Sequence, residues 1–204
     1  MAGTMPHAIF VETDVDGSDG CAAYAAELPG CAVFAATDEE AASTMPRRVA
    51  WFTAWLRDRG EQAPTFVGDN WYEVERAAAR PGPDGRQRAA FSLDELPPSD
   101  EEFARYLRWL ELAREELAEA IDAAGQVPAA AAAIATQDAV FTRELGGPAP
   151  PTEGDPLDRL YAARDALTDA LSAAGPSASG VRRALRLAIA DDLRLADDLR
   201  GAAG

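Results

Sequence analysis

The first part of the chain alternates short apolar runs with clusters of turn-forming residues. The runs HAIFVET, CAAYAAEL and CAVFAA occupy residues 7–13, 21–28 and 31–36 and have the length and composition of β-strands. Between them lie DVDGSDG and the pair Pro29 and Gly30, both of which are typical of tight turns. The pattern predicts a three-stranded antiparallel meander.

A helical period replaces this alternation after Thr37. Thr37 and Glu40 have capping-box spacing, in which the hydroxyl and the carboxylate each accept a hydrogen bond from a free backbone N–H. Apolar residues then recur every three or four positions until the predicted helix end near Gly60: Ala41, Met45, Val49, Phe52 and Leu56. Pro46 interrupts this stripe, so either a kink or a junction of two helices is expected there.

After Gly60 the chain returns to short segments. Residues 65–67 and 71–75 have strand composition, and residues 80–88 have the composition of a loop. Residues 89–93 are predicted to form a last strand or an extended arm. These segments complete a predicted first domain, residues 1–96, which ends before the pair Pro97 and Pro98.

The remaining chain, residues 97–204, has a helical period throughout. Four amphipathic helices are predicted, from a Ser99–Glu102 capping box to Gly125, from Pro128 to Leu145, from Asp155 to Gly175, and from Ser179 to about Arg200. Their short or modest connections favour an antiparallel four-helix bundle. The predicted fold class is therefore α+β, with an antiparallel sheet and one packed helix before a helical bundle.

The charge and hydropathy of the chain exclude two classes of partner, nucleic acid and membranes. The chain has 35 acidic and 19 basic residues, a net charge of −16, and no lysine. The acidic excess is shared equally by the two halves, so neither half offers the basic surface that binds nucleic acid. No apolar run approaches the length of a membrane span, and the first residues lack the pattern of a secretion signal. We therefore expect a cytoplasmic protein without a membrane partner.

Few residues are available for metal, redox or acid–base chemistry. His7 is the single histidine, so neither a triad of histidine ligands nor a Ser/His/Asp set can be assembled. Cys21 and Cys31 lack CxxC spacing, and two thiols are too few for a disulfide framework. Both cysteines are expected to be reduced.

Residues 28–41 contain the segment LPGC followed by ATDEEA, which resembles the HicB-like antitoxin domain over residues 7–60. The resemblance implies a small ββαβ-type domain, related in shape to degraded RNase H or double-stranded-RNA-binding folds. Such domains are usually dimeric, and in antitoxins they sequester a small basic RNase toxin. The chain lacks the DNA-binding element of a complete antitoxin.

A homodimer through the N-terminal domain is also expected on physical grounds. A meander of three short strands has two edges that must be paired, covered or charged. Residues 8–11 of the first predicted strand contain no Lys, Arg or Pro to prevent pairing. The competing expectation is that the segment 71–75 or the bundle covers this edge and that the net charge keeps the protein monomeric.

Residues 134–146 (IATQDAVFTRELG) and 181–200 (VRRALRLAIADDLRLADDLR) resemble the DinB-like four-helix bundle. In that family three histidines on the second and fourth helices hold a divalent metal. The matched positions here are Ala133, Asp191 and Leu195, so the histidine triad is absent. Alanine and leucine offer no lone pair to a metal. We therefore expect no metal and no cofactor.

The last predicted helix also carries a group of carboxylates: Asp191, Asp192, Asp197 and Asp198. Asp192 lies on the same helical stripe as Ala188 and Leu195. Because burial of a lone carboxylate is costly, Asp192 is expected to lie at the rim or to pair with an arginine. One interpretation is a solvated or salt-bridged helix end. The alternative is a remnant pocket at Asp191, Asp192 and Leu195 for a small cationic or polar ligand.

Two classes of function follow. The first is a non-enzymatic binding or scaffold protein of the HicB-like and DinB-like type, which captures a small basic protein or a small ligand. The second is a degenerate DinB-like metal- or thiol-dependent transferase or hydrolase, whose site is altered or completed by another chain. The missing histidines favour the first class.

Overall fold

The computed structural model describes residues 7–17, 19–64, 71–82, 85–125, 127 and 129–202. Within them the chain is mixed α+β, with a four-stranded sheet, a two-stranded ladder and five α-helices. The predicted strand at 65–67 and the predicted helix start at Pro128 lie outside these residues. None of the helices described is long and apolar enough to cross a membrane.

The described residues form two compact units. Residues up to 82 together with 87–93 form the first, which we call the sheet unit. Residues 85–86 together with 94–202 form the second, which we call the helical unit. No strand is found in the described residues after Arg88.

The main sheet contains β1 (His7–Thr13), β2 (Cys21–Ala25), β3 (Ala32–Ala35) and β4 (Trp71–Ala78) in the order β3-β2-β1-β4. The meander β1-β2-β3 is antiparallel, as predicted, but β4 pairs in parallel with β1. The expectation that β1 is an exposed edge strand is therefore wrong, and the competing expectation that the segment 71–75 covers this edge is confirmed. Residues 9–12 of β1 are all buried, and burial of consecutive residues, which point to opposite faces of the sheet, is typical of an interior strand.

Helix α1 (Asp38–Asp58) connects β3 to β4 and packs on one face of the sheet. The Thr37 side chain accepts a hydrogen bond from the backbone N–H of Glu40, which fixes the helix start. Pro46 lies inside this one helix, so the alternative of two helices is wrong. Buried side chains on both sides of the proline, Met45 and Val49, anchor the helix and offset the lost hydrogen bond.

The other face of the sheet is covered by residues 87–93. Phe91 stacks on Phe10 with ring centroids 5.0 Å apart. The fully buried carboxylate of Glu12 accepts a hydrogen bond from the Tyr24 hydroxyl at 2.7 Å and another from the backbone N–H of Ala89. These contacts make residues 89–91 an extended arm.

Within the predicted loop 80–88, Arg80–Pro81 (β5) and Gln87–Arg88 (β6) form a short antiparallel ladder.

Both cysteines are free thiols buried in the sheet unit. Burial raises the pKa of the Cys31 thiol to about 12 and also raises the pKa of Cys21. The thiolate is the reactive form of cysteine, so neither residue is primed as a nucleophile.

The helical unit contains α2 (Asp100–Ala124), α3 (Ala130–Glu144), α4 (Pro156–Ala174) and α5 (Val181–Ala202). The predicted Ser99–Glu102 capping box is present, and Gly125 ends α2 in the left-handed conformation. Asp155 caps α4 through the backbone N–H of Leu157. These local signals placed three of the helix ends correctly.

The directions of the helices differ from the predicted antiparallel arrangement. Ion pairs join Glu102 to Arg182 near the starts of α2 and α5, and Glu116 to Arg200 near their ends, so these two helices are parallel. Helices α3 and α4 are also parallel, because both place their first turns in one apolar cluster. Residues 145–155 connect them. This segment can span at most roughly 36–40 Å when extended, enough to return along a helix of about 22 Å.

Candidate functional site

A set of polar side chains lies inside the helical unit, where apolar residues would be expected. We call this set the polar layer: Arg86, Arg114, Gln137, Asp138, Arg164, Asp191 and Asp192. All four helices of the unit contribute to it. It contains three carboxylates and three guanidinium groups, so the formal charges balance.

Apolar residues enclose the polar layer on both sides along the helices. One turn away in one direction lie buried Leu117, Ile134, Leu160 and Leu195, which belong to a single apolar cluster. One turn away in the other direction lie buried Leu110, Phe141, Leu167 and Ile189. Charges between two apolar layers interact strongly because little water screens them.

Arg164 and Asp192 form the closest ion pair of the layer. The guanidinium Nη2 of Arg164 on α4 donates directly to Oδ1 of Asp192 on α5. Only 1% of Asp192 is exposed. The expectation that Asp192 pairs with an arginine is thus confirmed, and the pair lies in the interior of the unit and not at a solvated helix end.

Asp191, the neighbouring residue on α5, binds a different arginine. Arg86 Nη1 donates to Asp191 Oδ2 at 2.7 Å, and Arg86 Nη2 donates to Asp191 Oδ1 at 3.2 Å. The side-chain amide of Gln137 completes a triangle. Its oxygen accepts from Arg86 Nη1 at 2.8 Å, and its nitrogen donates to Asp191 Oδ2 at 2.9 Å.

Asp138 is the least satisfied member of the layer. Neither of its carboxylate oxygens has a hydrogen-bond donor among the described residues. The nearest cationic groups are Arg164 Nε at 3.9 Å and Arg114 Nη2 at 4.0 Å. Arg114 Nη1 instead donates to the backbone oxygen of Arg164 at 2.7 Å and to the hydroxyl of Thr168. Asp138 is therefore held by charge alone.

The titration of these groups reflects their burial. Burial raises the pKa of Asp138 to about 7, although the two nearby guanidinium groups act in the opposite direction. Burial also raises the pKa of Asp192 and lowers the pKa of Arg114. The polar layer therefore favours the neutral form of Asp138 more strongly than water does.

The predicted site residues are only partly brought together. Asp191 and Asp192 lie in the polar layer, whereas Leu195 lies in the adjacent apolar cluster. Ala133 is exposed on α3, and the α3 side chain that faces Asp191 is Gln137, one turn further along. Two carboxylates of the predicted group, Asp197 and Asp198, lie outside the layer, half-buried and exposed respectively.

Sequence reasoning missed Arg86, Arg114, Gln137, Asp138 and Arg164. A signal was present for most of them, because each helical residue lies three or four positions from a core residue on its own helix. Asp138, for example, is flanked at this spacing by Ile134 and Phe141. Arg86 lies outside any helix and gives no such signal.

The residues present do not fit a divalent metal of the DinB-like kind. Ala133 and Leu195 have no donor atoms, and the cationic guanidinium of Arg86 binds both oxygens of Asp191. Across the part of the chain that the structure describes, no three His, Cys, Asp or Glu side chains are grouped as metal ligands.

No family model matches the chain, and no curated protein or solved structure gives a significant match.

Proposed function

We propose that this chain is a non-enzymatic binding protein, with a HicB-like N-terminal domain and a DinB-like helical domain that has lost its metal site. The observation that carries the proposal is the polar layer. Its carboxylates face guanidinium groups of the same chain, and Arg86 forms an ion pair with the carboxylate of Asp191. Because Asp191 and Asp192 each bind an arginine of the same chain and Asp138 lies within 4.0 Å of two, these groups are engaged with one another, which favours a structural role over a catalytic one.

The sheet unit supports the HicB-like part of the proposal. The PGC turn is followed by β3 and then by a helix that Thr37 caps, in the order that the resemblance implies. The helical unit supports the DinB-like part, since α3 and α5 meet through Gln137 and Asp191 near the matched positions.

The proposed partner is a small basic protein. Internal ion pairs cancel within the polar layer, so the net charge of −16 resides elsewhere. Part of it forms a stripe on the outer face of α2: exposed Glu111, Glu115, Glu119 and Asp122. Opposite charge on a partner increases the rate of encounter and favours partners of the correct sign.

Restoring histidines tests the DinB-like assignment. In a variant with Gln137→His, Asp191→His, Leu195→His and Arg86→Ala, imidazoles from α3 and α5 face one another and the competing cation is removed. We expect this variant to bind one Zn²⁺ or Ni²⁺ per chain in a calorimetric titration, and the wild type to show no saturable heat.

A matched control moves the α3 histidine to Ala133, which is exposed one turn away. This variant should bind the metal more weakly, because its imidazole is further from those of α5. Tight stoichiometric binding by the wild type would contradict the loss of the metal site. Absence of binding by the restored, folded variant would contradict a former metal site between α3 and α5, and tight binding by the Ala133→His control would show that the α3 ligand belongs at the matched position and not at Gln137.

A second copy of the chain is the other proposed partner, and β4 is the strand that carries the contact. It is an outer strand of the sheet, and it exposes Tyr72 and Val74. The sequence Glu-Val-Glu-Arg at 73–76 is self-complementary, since an antiparallel copy places Glu73 opposite Arg76. An exposed edge strand with apolar side chains favours such pairing.

Light scattering at physiological salt tests the dimer. We expect twice the monomer mass of 21.6 kDa for the wild type. The double variant Tyr72→Asp with Val74→Asp should return to the monomer mass, whereas Tyr161→Asp, which changes an exposed tyrosine of α4, should not. A wild-type mass of 21.6 kDa would refute the dimer. Proline at Phe10 is unsuitable as a test, because β1 is interior and the sheet itself would break.

A further inference from the structure

The Arg86 guanidinium lies in a small site made of three oxygen atoms. They are Oδ1 and Oδ2 of Asp191 and Oε1 of Gln137, at 3.2, 2.7 and 2.8 Å from the guanidinium nitrogens. A carboxylate that accepts two parallel N–H bonds matches the planar fork of a guanidinium and does not match an ammonium group. The geometry is therefore selective for one class of cation.

The acceptor side of this site is held rigidly. Asp191 on α5 and Gln137 on α3 are 3% and 1% exposed. The Gln137 amide nitrogen donates to Asp191 Oδ2, which fixes the orientation of both acceptors relative to one another. A site whose acceptors are fixed before binding loses little entropy when a cation arrives.

The donor comes from a different kind of element. Arg86 belongs to neither a helix nor a strand, and 16% of its side chain is exposed. Gly85, the residue before it, has a φ of +78°, and a Cβ at that position would meet no atom within 4 Å. The cation thus enters from an irregular segment beside open space, whereas its acceptors come from packed helices.

From this asymmetry we infer that Asp191 and Gln137 form a guanidinium-binding site, which Arg86 occupies in the isolated chain. An arginine side chain of a basic partner takes the same place when Arg86 leaves it. The identity of this partner rests on the function proposed above. The binding of a free guanidinium ion does not rest on that proposed function, because it depends only on the residues of the site.

Chemical rescue of an Arg86→Ala variant tests the site. We expect millimolar guanidinium or methylguanidine to raise the melting temperature of this variant, with a response that saturates. Urea, a neutral molecule of nearly the same shape, should produce no rise at the same concentrations. The wild type, whose site is filled, should show no rise with any of the three compounds.

The double variant Arg86→Ala with Asp191→Asn is the matched control and should lose the response, because the carboxylate is gone. If Arg86→Ala does not fold alone, the readout is its helical circular dichroism, which should recover with guanidinium but not with urea. Arg86→Gln serves as a second variant for the same measurements. A response that does not saturate, that urea reproduces, or that survives Asp191→Asn would overturn the site. If guanidinium rescues the variant but no basic partner is found, the guanidinium-binding site stands and only the proposed partner is refuted.

Discussion

Replacing Arg164 with methionine is expected to lower the free energy of unfolding by about 3–5 kcal/mol, because the change leaves the carboxylate of Asp192 buried without its partner. Asp192 is 1% exposed and receives its hydrogen bond from this guanidinium. Arg164 is also the nearest cation to Asp138, so a second buried carboxylate loses compensation. Urea denaturation followed by circular dichroism measures the effect.

Two further variants separate the ion pair from other effects of the substitution. The double variant Arg164→Met with Asp192→Leu removes both charges and should recover the part of the loss that is due to Asp192, because buried ion pairs contribute little more than apolar residues of similar volume; Asp138 still lacks its nearest cation. Arg108→Met breaks an exposed pair with Glu111 and should cost less than about 1 kcal/mol. A double variant no more stable than Arg164→Met alone would show that the pair is not the cause.

The second large expected effect concerns pH and Asp138. The pKa of Asp138 is about 7 in the folded protein and 3.8 for the ordinary carboxyl group, so the folded state binds more protons between these values. The free energy of unfolding therefore falls as pH rises through this window. Asp138 accounts for a decrease of up to about 4 kcal/mol. In Asp138→Asn this contribution is absent.

The measured quantity is the difference in unfolding free energy between wild type and Asp138→Asn at pH 4, 5.5 and 7.5. The difference should change steadily in favour of the asparagine variant as pH rises. Asp198→Asn, the same substitution at an exposed position of α5, should show no such trend. Identical pH profiles for wild type and Asp138→Asn would show that Asp138 titrates normally.

Local chemistry explains which parts of the fold could be predicted from the sequence. Helix ends depend on a few adjacent residues, so Thr37, Ser99, Asp155 and Gly125 identified them correctly. The parallel pairing of β4 with β1 and the parallel direction of α3 and α4 depend on contacts between distant segments. Such contacts leave no period or cap in the sequence, and the antiparallel arrangement expected for the helices was wrong for α3 and α4.

The candidate site shows the same limit. The cost of burying a carboxylate predicted that Asp192 lies at the rim or pairs with an arginine; the second alternative is the observed one, but the sequence did not say which arginine. Arg86 and Asp191 are 105 positions apart, and nothing local to Arg86 marks it as part of the helical unit. The matched metal position Ala133 lies one turn from Gln137, the residue that faces Asp191.

Elemental analysis of the full-length protein, purified without nickel resin or chelator, tests most directly whether the polar layer is a self-neutralised structural network and not a metal site. We expect less than about one tenth of an equivalent of zinc or nickel per chain, since Ala133 and Leu195 supply no ligand and Arg86 binds Asp191. One equivalent of tightly held metal per chain would contradict it.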